Sequence, residues 1–348
     1  MATVLPPDTD PARPDSLLLI RADASAAIGV GHVMRCLALA EAWLELGGRV
    51  LLATAEIPVA IAERYERVGA TVAMVKSTDD AAVLARDRGA RFAVVDGYHL
   101  GADDQAALKR TGARLLVIDD RGETATRAAD VVLNQNAGAV ADLYAALGAK
   151  LLLGTQFTLL RREFRGVAGA RAIPEVARRL LVSFGGSDPA NVTPRVIEAL
   201  APLEGFEVLV VAGVANSNAA TLSVPADARA SIRIVTVVDD MAEQMRWAEL
   251  AIVAAGSTCW ELAACGVPMI AVAVADNQLA ITEPLGDLGI GVPMPLEAVD
   301  AESLRAMALS VARDEIWRGL MTRKGPEIID GHGALRVCAA LREDGDAR

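Results

Sequence analysis

Short apolar runs alternate with amphipathic segments along most of this chain. Leu17–Arg21, Arg49–Thr54, Thr71–Val75, Phe92–Asp96, Arg114–Asp119 and Val131–Asn134 are rich in Leu, Val and Ile. Such short runs fit strands buried on both faces. Between them, Leu37–Leu46, Pro58–Gly69 and Asp79–Arg88 carry apolar residues at helical spacing. Strand alternating with helix predicts a parallel sheet with right-handed crossovers. Gly166–Glu175 interrupts the pattern with Gly, Ala, Arg and Pro in no period. The alternation then restarts. Leu180–Phe184, Glu207–Ala212, Ile232–Val235, Leu250–Ala254 and Met269–Val274 read as strands, and Ala301–Arg323 and Ala334–Leu341 as terminal helices.

The expected class is therefore α/β, with two Rossmann-like domains. The expected division is a disordered tail at 1–15, an N-terminal domain at 16–165, a linker at 166–178, a C-terminal domain at 179–325 and a final helical segment at 326–348. A chain of 348 residues is long for a single core. Ligands on such sheets bind outside the carboxyl ends of the strands, so the active site is expected in the cleft between the domains.

Composition narrows the choice of ligand. Hydrophobic residues make up 53% and aromatics only 3%, so Leu, Val, Ile and Ala must fill the cores. A net charge of −11 argues against a nucleic-acid surface. A small anion would instead be held by helix N-termini or single arginines. The first 15 residues lack the basic and apolar regions of a signal peptide. The strongest apolar run, Val267–Ala275, ends at Asp276, far short of a membrane span. Cys36, Cys259, Cys265 and Cys338 show no CxxC spacing, and only three histidines are present. Core thiols in a reducing compartment fit better than a zinc site. The expectation is a cytoplasmic protein with no metal, no cofactor, no membrane insertion and no protein partner.

Three glycine-bearing turns follow strands and precede helices. At Gly29-Val30-Gly31-His32, two glycines allow a tight turn and close approach of a ligand. His32 falls in the first helical turn, whose positive dipole end favours neutral imidazole. The plainer reading is a helix start with an incidental histidine. Ser183-Phe184-Gly185-Gly186-Ser187-Asp188-Pro189 is the second turn, and Asp188 or Asn191 would serve equally as an N-cap. The third is Ala255-Gly256-Ser257-Thr258-Cys259-Trp260-Glu261. Ser257 and Thr258 are N-cap candidates, and the helix start would face a diphosphate. Glu261, one turn in, would bind a ribose diol or simply complement the dipole. Ala275-Asp276-Asn277-Gln278 ends a strand with polar groups suited to hydroxyl or amide recognition, or to capping. Asp96-Gly97-Tyr98-His99 ends another, with Tyr98 placed for a sugar and His99 read as a surface residue. Asp119 and Asp120 read as turn and capping groups. His332 reads as a loop residue. GxSxG, GxxxxGK[ST] and HExxH are absent, and Met34 breaks a full GxGxxG.

Arg21-Ala22-Asp23-Ala24-Ser25 followed by Ile28-Gly29-Val30-Gly31-His32-Val33-Met34-Arg35-Cys36 resembles the opening signature of the pseudaminic-acid-pathway UDP-sugar hydrolases. Those enzymes act on UDP-2,4-diacetamido-2,4,6-trideoxy-β-L-altropyranose. Spore-coat polysaccharide biosynthesis proteins share the signature. The resemblance runs on through Asp96-Gly97-Tyr98, Ile118-Asp119-Asp120, Leu160 to Phe164, Ser183 to Pro189, Asp239-Asp240-Met241, Gly256 to Glu261 and Ala275 to Gln278. The second-half motifs are shared with the wider glycosyltransferase-B (GT-B) superfamily, including MurG-like enzymes. The departures lie around Gly97 and at Gly122-Glu123.

The resemblance implies a GT-B fold with the nucleotide held mainly by the second half. It implies His32 as general base, with Gly31, Tyr98, Asn277 and Gln278 at the sugar. It implies UDP on Gly185, Gly186, Ser187, Met241, Gly256, Ser257, Thr258 and Glu261, with main chain near Met241 at the uracil and Glu261 at the ribose. The implied reaction is metal-independent, inverting hydrolysis of a UDP-sugar by water. A GT-B glycosyltransferase using an acceptor, and a non-catalytic nucleotide-sugar binding protein, are the alternatives.

Overall fold

A computed structural model describes residues 16–120, 122, 128–144, 148–167, 171–236, 238, 240–275 and 278–343. The tail expected at 1–15 lies outside them. The first half holds strands β1 (Leu17–Ala22), β2 (Arg49–Thr54), β3 (Thr71–Met74), β4 (Phe92–Asp96), β5 (Arg114–Ile118), β6 (Val131–Asn134) and β7 (Lys150–Leu153). Helices α1 (Gly31–Glu45), α2 (Val59–Arg67), α3 (Thr78–Asp87) and α4 (Ala102–Lys109) connect them. The second half holds β8 (Arg179–Ser183), β9 (Glu207–Val211), β10 (Ser231–Val235), β11 (Leu250–Ala254), β12 (Met269–Ala273) and β13 (Val292–Pro295). Its helices are α5 (Thr193–Leu200), α6 (Met241–Trp247), α7 (Ser257–Ala264), α8 (Leu279–Asp287), α9 (Ala301–Arg313) and α10 (Glu315–Ile328), and α11 (Gly333–Arg342) closes the chain.

Both sheets are parallel, in the orders β3-β2-β1-β4-β5-β6-β7 and β10-β9-β8-β11-β12-β13. In each, the order reverses beside the first strand, between β1 and β4 and between β8 and β11. A crevice forms where neighbouring strands send their connections to opposite faces. Ala22 pairs with Asp96 at the carboxyl end of the first crevice, and Val253 with Ser183 at the second. The motifs singled out from the sequence therefore sit where two such sheets bind ligands.

The alternation of runs exposes two edge strands only weakly. In β13, Val292 and Met294 are buried while Pro293 and Pro295 are exposed. Two prolines in four residues mask a strand, but an edge position tolerates their missing N–H groups. At the edge of the other sheet, β7, Lys150-Leu151-Leu152-Leu153, is added to the outside of β6.

The Ala301–Arg323 stretch is two helices. The Asp314 side chain accepts from the Trp317 N–H and restarts the chain as α10. The last helix, α11, crosses back onto the first half. Ala334, Val337, Cys338 and Leu341 join the core built on α1, and Arg342 stacks over Trp43 at 4.3 Å.

Candidate functional site

The loop after β1 turns on Gly29, whose φ of +81° suits glycine. Gly29 N–H donates to the Ser25 carbonyl, and α1 starts at Gly31. His32 is thereby the second residue of α1, and Arg35 lies one turn on, on the same face. Both are buried. Asp96, the last residue of β4, has no exposed surface and receives them both. His32 Nδ1 lies 2.7 Å from Asp96 Oδ1. Arg35 donates from Nε to Asp96 Oδ2 and from Nη2 to Oδ1, each at 2.6 Å.

Burial alone would raise the Asp96 carboxyl pKa. Arg35 and His32 outweigh it and hold the group well below the usual carboxylate range. An ionised carboxylate only accepts, so His32 Nδ1 carries the proton of that contact. Nε2 is the ring nitrogen that this contact leaves over. Arg35, which burial alone would make easier to deprotonate, is pushed well above its ordinary value by Asp120 and Asp96.

Asp120 is not only a turn group. Its Oδ2 accepts from Arg35 Nη1 at 2.5 Å and from the Tyr98 hydroxyl at 3.2 Å. Asp119 does hold the turn, accepting from the Gly122 N–H at 3.0 Å. Tyr98 meets the His32 ring edge-on, centroids 4.7 Å apart. His99 is exposed, as expected of a surface residue, but it is also anchored. Its Nε2 lies 2.7 Å from Asp23 Oδ2. Asp23 also takes Arg21, the Thr54 hydroxyl and the Ala55 N–H. The departure at Gly97 has a physical reason here, because a Cβ would lie 2.9 Å from His99 Cε1. The bare glycine lets His99 fold back and anchor the loop that carries Tyr98.

In the second half, α7 starts with Gly256 as N-cap and no capping side chain. Ser257 and Thr258 are the first two helical residues, not the cap, so their N–H groups are left without a capping acceptor. Glu261 accepts from Arg161 at 3.0 Å, and Arg161 also holds Glu163 at 2.9 Å. The N-cap of α5 is Val192, not Asp188 or Asn191, although Asp188 accepts from the Val192 N–H and from the Thr193 N–H and hydroxyl. Gly186 is approached by the protein itself, whereas a Cβ on Gly185 would meet nothing within 4 Å. A Cβ on Gly186 would fall 2.4 Å from Val30 Cγ2, and one on Gly213 would fall 2.2 Å from the Gly186 carbonyl. Gly31 and Gly256 differ, since a Cβ there would meet nothing within 4 Å.

One cavity of about 870 Å³ joins these parts. Its wall includes Gly31, His32 and Tyr98 of the first half and Gly185, Gly186, Ser187, Met241, Gly256, Ser257, Thr258, Glu261 and Gln278 of the second. Gln278 Oε1 is committed to the Val274 N–H at 2.9 Å. Asn277 lies outside the described residues. The wall also includes Arg35, Asp120, Asn136 and Arg161, which were not nominated from the sequence. The signal for them was Arg35 itself, one helical turn from His32. A buried arginine requires carboxylates, and two strand ends supply them. Among the described residues no group of three His, Cys, Asp or Glu side chains is placed to hold a metal ion.

Two facing Rossmann-like halves with a cleft between their switch points define the GT-B fold. The chain has that fold. Residues 180–306 match the glycosyltransferase family 28 C-terminal domain. Over 337 residues the chain is 23% identical to the spore coat polysaccharide biosynthesis protein SpsG of Bacillus subtilis, covering 93% of this chain and 97% of that one. Over 251 residues it is 26% identical to the UDP-2,4-diacetamido-2,4,6-trideoxy-beta-L-altropyranose hydrolase of Campylobacter jejuni, covering 69% of this chain and 85% of that one. The structure superposes on MurG of Acinetobacter baumannii with a TM-score of 0.66 at 16% identity, over 95% of this chain and 100% of that one. The resemblance carried by the sequence motifs is thus supported along most of the chain.

Proposed function

We propose that this protein hydrolyses a UDP-linked amino sugar to free sugar and UDP, with inversion and without a metal. The observation that carries the reading is the His32–Asp96 pair in the same cavity as the uncapped start of α7. UDP lies on the second half, with its diphosphate at Gly256–Thr258 and its ribose at Glu261. Helix N–H groups stabilise the charge that develops on the leaving diphosphate. The sugar reaches across to Tyr98 and Gly31. The water oxygen attacks the anomeric carbon, the carbon–oxygen bond to UDP breaks, and UDP leaves with the electron pair. His32 Nε2 takes the water proton, while Asp96 orients the ring and stabilises the imidazolium. UDP is a good enough leaving group to depart without a general acid, so the paired carboxylates of ordinary glycosidases are not needed. A cytoplasmic location accompanies this reading. Burial pushes the thiols of Cys259, Cys265 and Cys338 up to about 12, as suits inert core cysteines. No helix among the described residues is long and apolar enough to cross a membrane.

The test is to incubate the protein with a panel of UDP-sugars and no acceptor, following UDP release and the anomer first formed. Release with inversion is expected. Release only after an acceptor is added would favour the transferase alternative, and tight UDP binding with no turnover would favour a binding protein.

A further inference from the structure

We infer that Asp120 is a specificity-determining residue that accepts a hydrogen bond from an N–H or O–H donor on the sugar of the bound nucleotide. The inference rests on the nucleotide-sugar reading above and concerns its sugar side.

An ionised carboxylate offers about four acceptor positions. Among the described residues, Asp120 Oδ2 fills two of them, with Arg35 Nη1 at 2.5 Å and the Tyr98 hydroxyl at 3.2 Å. Among the described residues, Oδ1 receives only Asn136 Nδ2, at a long 3.3 Å. One acceptor position therefore stays open on a carboxylate that lines the cavity and keeps 13% of its side-chain surface exposed. Arg35 fixes it rigidly, because the same guanidinium is clamped on Asp96. Tyr98 links it to the His32 ring, so Asp120 stands about one side chain from the imidazole assigned to the reacting carbon. A sugar whose anomeric carbon faces His32 thus brings its ring substituents to Asp120. Its own groups make the choice chemical. An acceptor held by a buried cation rewards a donor and rejects a substituent that can only accept. Asn136 Nδ2 beside it supplies the matching donor, so the pair complements both ends of an amide or a single hydroxyl.

The experiment uses calorimetry on the full-length protein carrying His32→Asn, to slow turnover, with and without Asp120→Ala. The probes are UDP, UDP-glucose and UDP-N-acetylglucosamine. Loss of at least about tenfold in affinity for a UDP-sugar, with UDP affinity within about twofold, is the expected result. A loss confined to the N-acetylated probe identifies the donor as the amide N–H, and an equal loss on both identifies a ring hydroxyl. Asp120→Asn, which keeps the side-chain volume, should show a smaller loss of the same kind and serves if the alanine variant does not fold. Equal affinity of parent and variants for both UDP-sugars would overturn the role of Asp120 while leaving the nucleotide reading intact. An equal fall for UDP and its sugars would also overturn it, as a general structural effect. Failure of the parent to bind any of the three would overturn both. Retained turnover by the His32→Asn parent would overturn the base assignment, and KM would then report the sugar contribution of Asp120.

Discussion

His32, Arg35, Asp96 and Asp120 form one charge unit, and single substitutions should affect its members differently. His32→Asn should abolish turnover while leaving UDP affinity largely intact, since UDP is assigned to the other half. UDP release and calorimetry on one preparation separate the two effects. Asp96→Asn should lower turnover by roughly 10²–10⁴-fold, because the ring loses the negative charge that stabilises its imidazolium. Asp96→Ala should in addition cost about 3–5 kcal/mol of stability, by leaving Arg35 partly unpaired in a buried site. The sign of the pH effect follows from the carboxylate. Asp96 and Asp23 are held below their ordinary value of 3.8 in the fold. Their contribution is complete above that value. As pH falls below about 4 the unfolded chain binds protons that the fold refuses, so stability declines toward acid. Urea midpoints measured from pH 6 down to pH 3 should show this fall, and Asp96→Asn should flatten it. Glu261→Ala should weaken UDP binding with little change in fold. Unchanged affinity in that variant would contradict the ribose assignment.

At the scale of elements, the strand-to-helix turns divide into two kinds. Gly186 and Gly213 make room for neighbouring protein, whereas Gly31 and Gly256 border open space. Gly213→Ala should destabilise by about 1–3 kcal/mol or more, since its methyl would meet the Gly186 carbonyl. Gly31→Ala, in the first turn of α1 and without steric conflict, should leave the thermal midpoint unchanged or raise it, yet slow turnover by occupying space beside the sugar. Denaturation curves and rates on both variants check this contrast. The same turns explain what was legible in the sequence. Period and glycine placement carried the six runs of the first half and five of the second, because both depend on local pattern. β13 was masked by Pro293 and Pro295. The Asp96 and Asp120 contacts join α1 to residues 61 and 85 positions away. No local pattern encodes such a pairing, so the carboxylates were visible at strand ends but their partners were not.

At the scale of the molecule, the two halves are tied at several points around the cleft. Arg161 reaches Glu261, Val30 packs on Gly186, and Arg64 of α2 donates to the Val238 carbonyl. The chain also returns through α11 to cover α1, the helix that carries His32. Stability of the first half should therefore depend on the last helix. Leu341→Ala is expected to cost about 2–5 kcal/mol in urea unfolding, and to lower turnover only through the folded fraction.

The central claim, attack of His32-activated water on the anomeric carbon, is tested most directly by turnover in ¹⁸O-labelled water with mass analysis of both products. One labelled oxygen should appear in the free sugar, read before anomeric exchange, and none in UDP. Label in UDP, or its incorporation at an undiminished rate by His32→Asn, would contradict it.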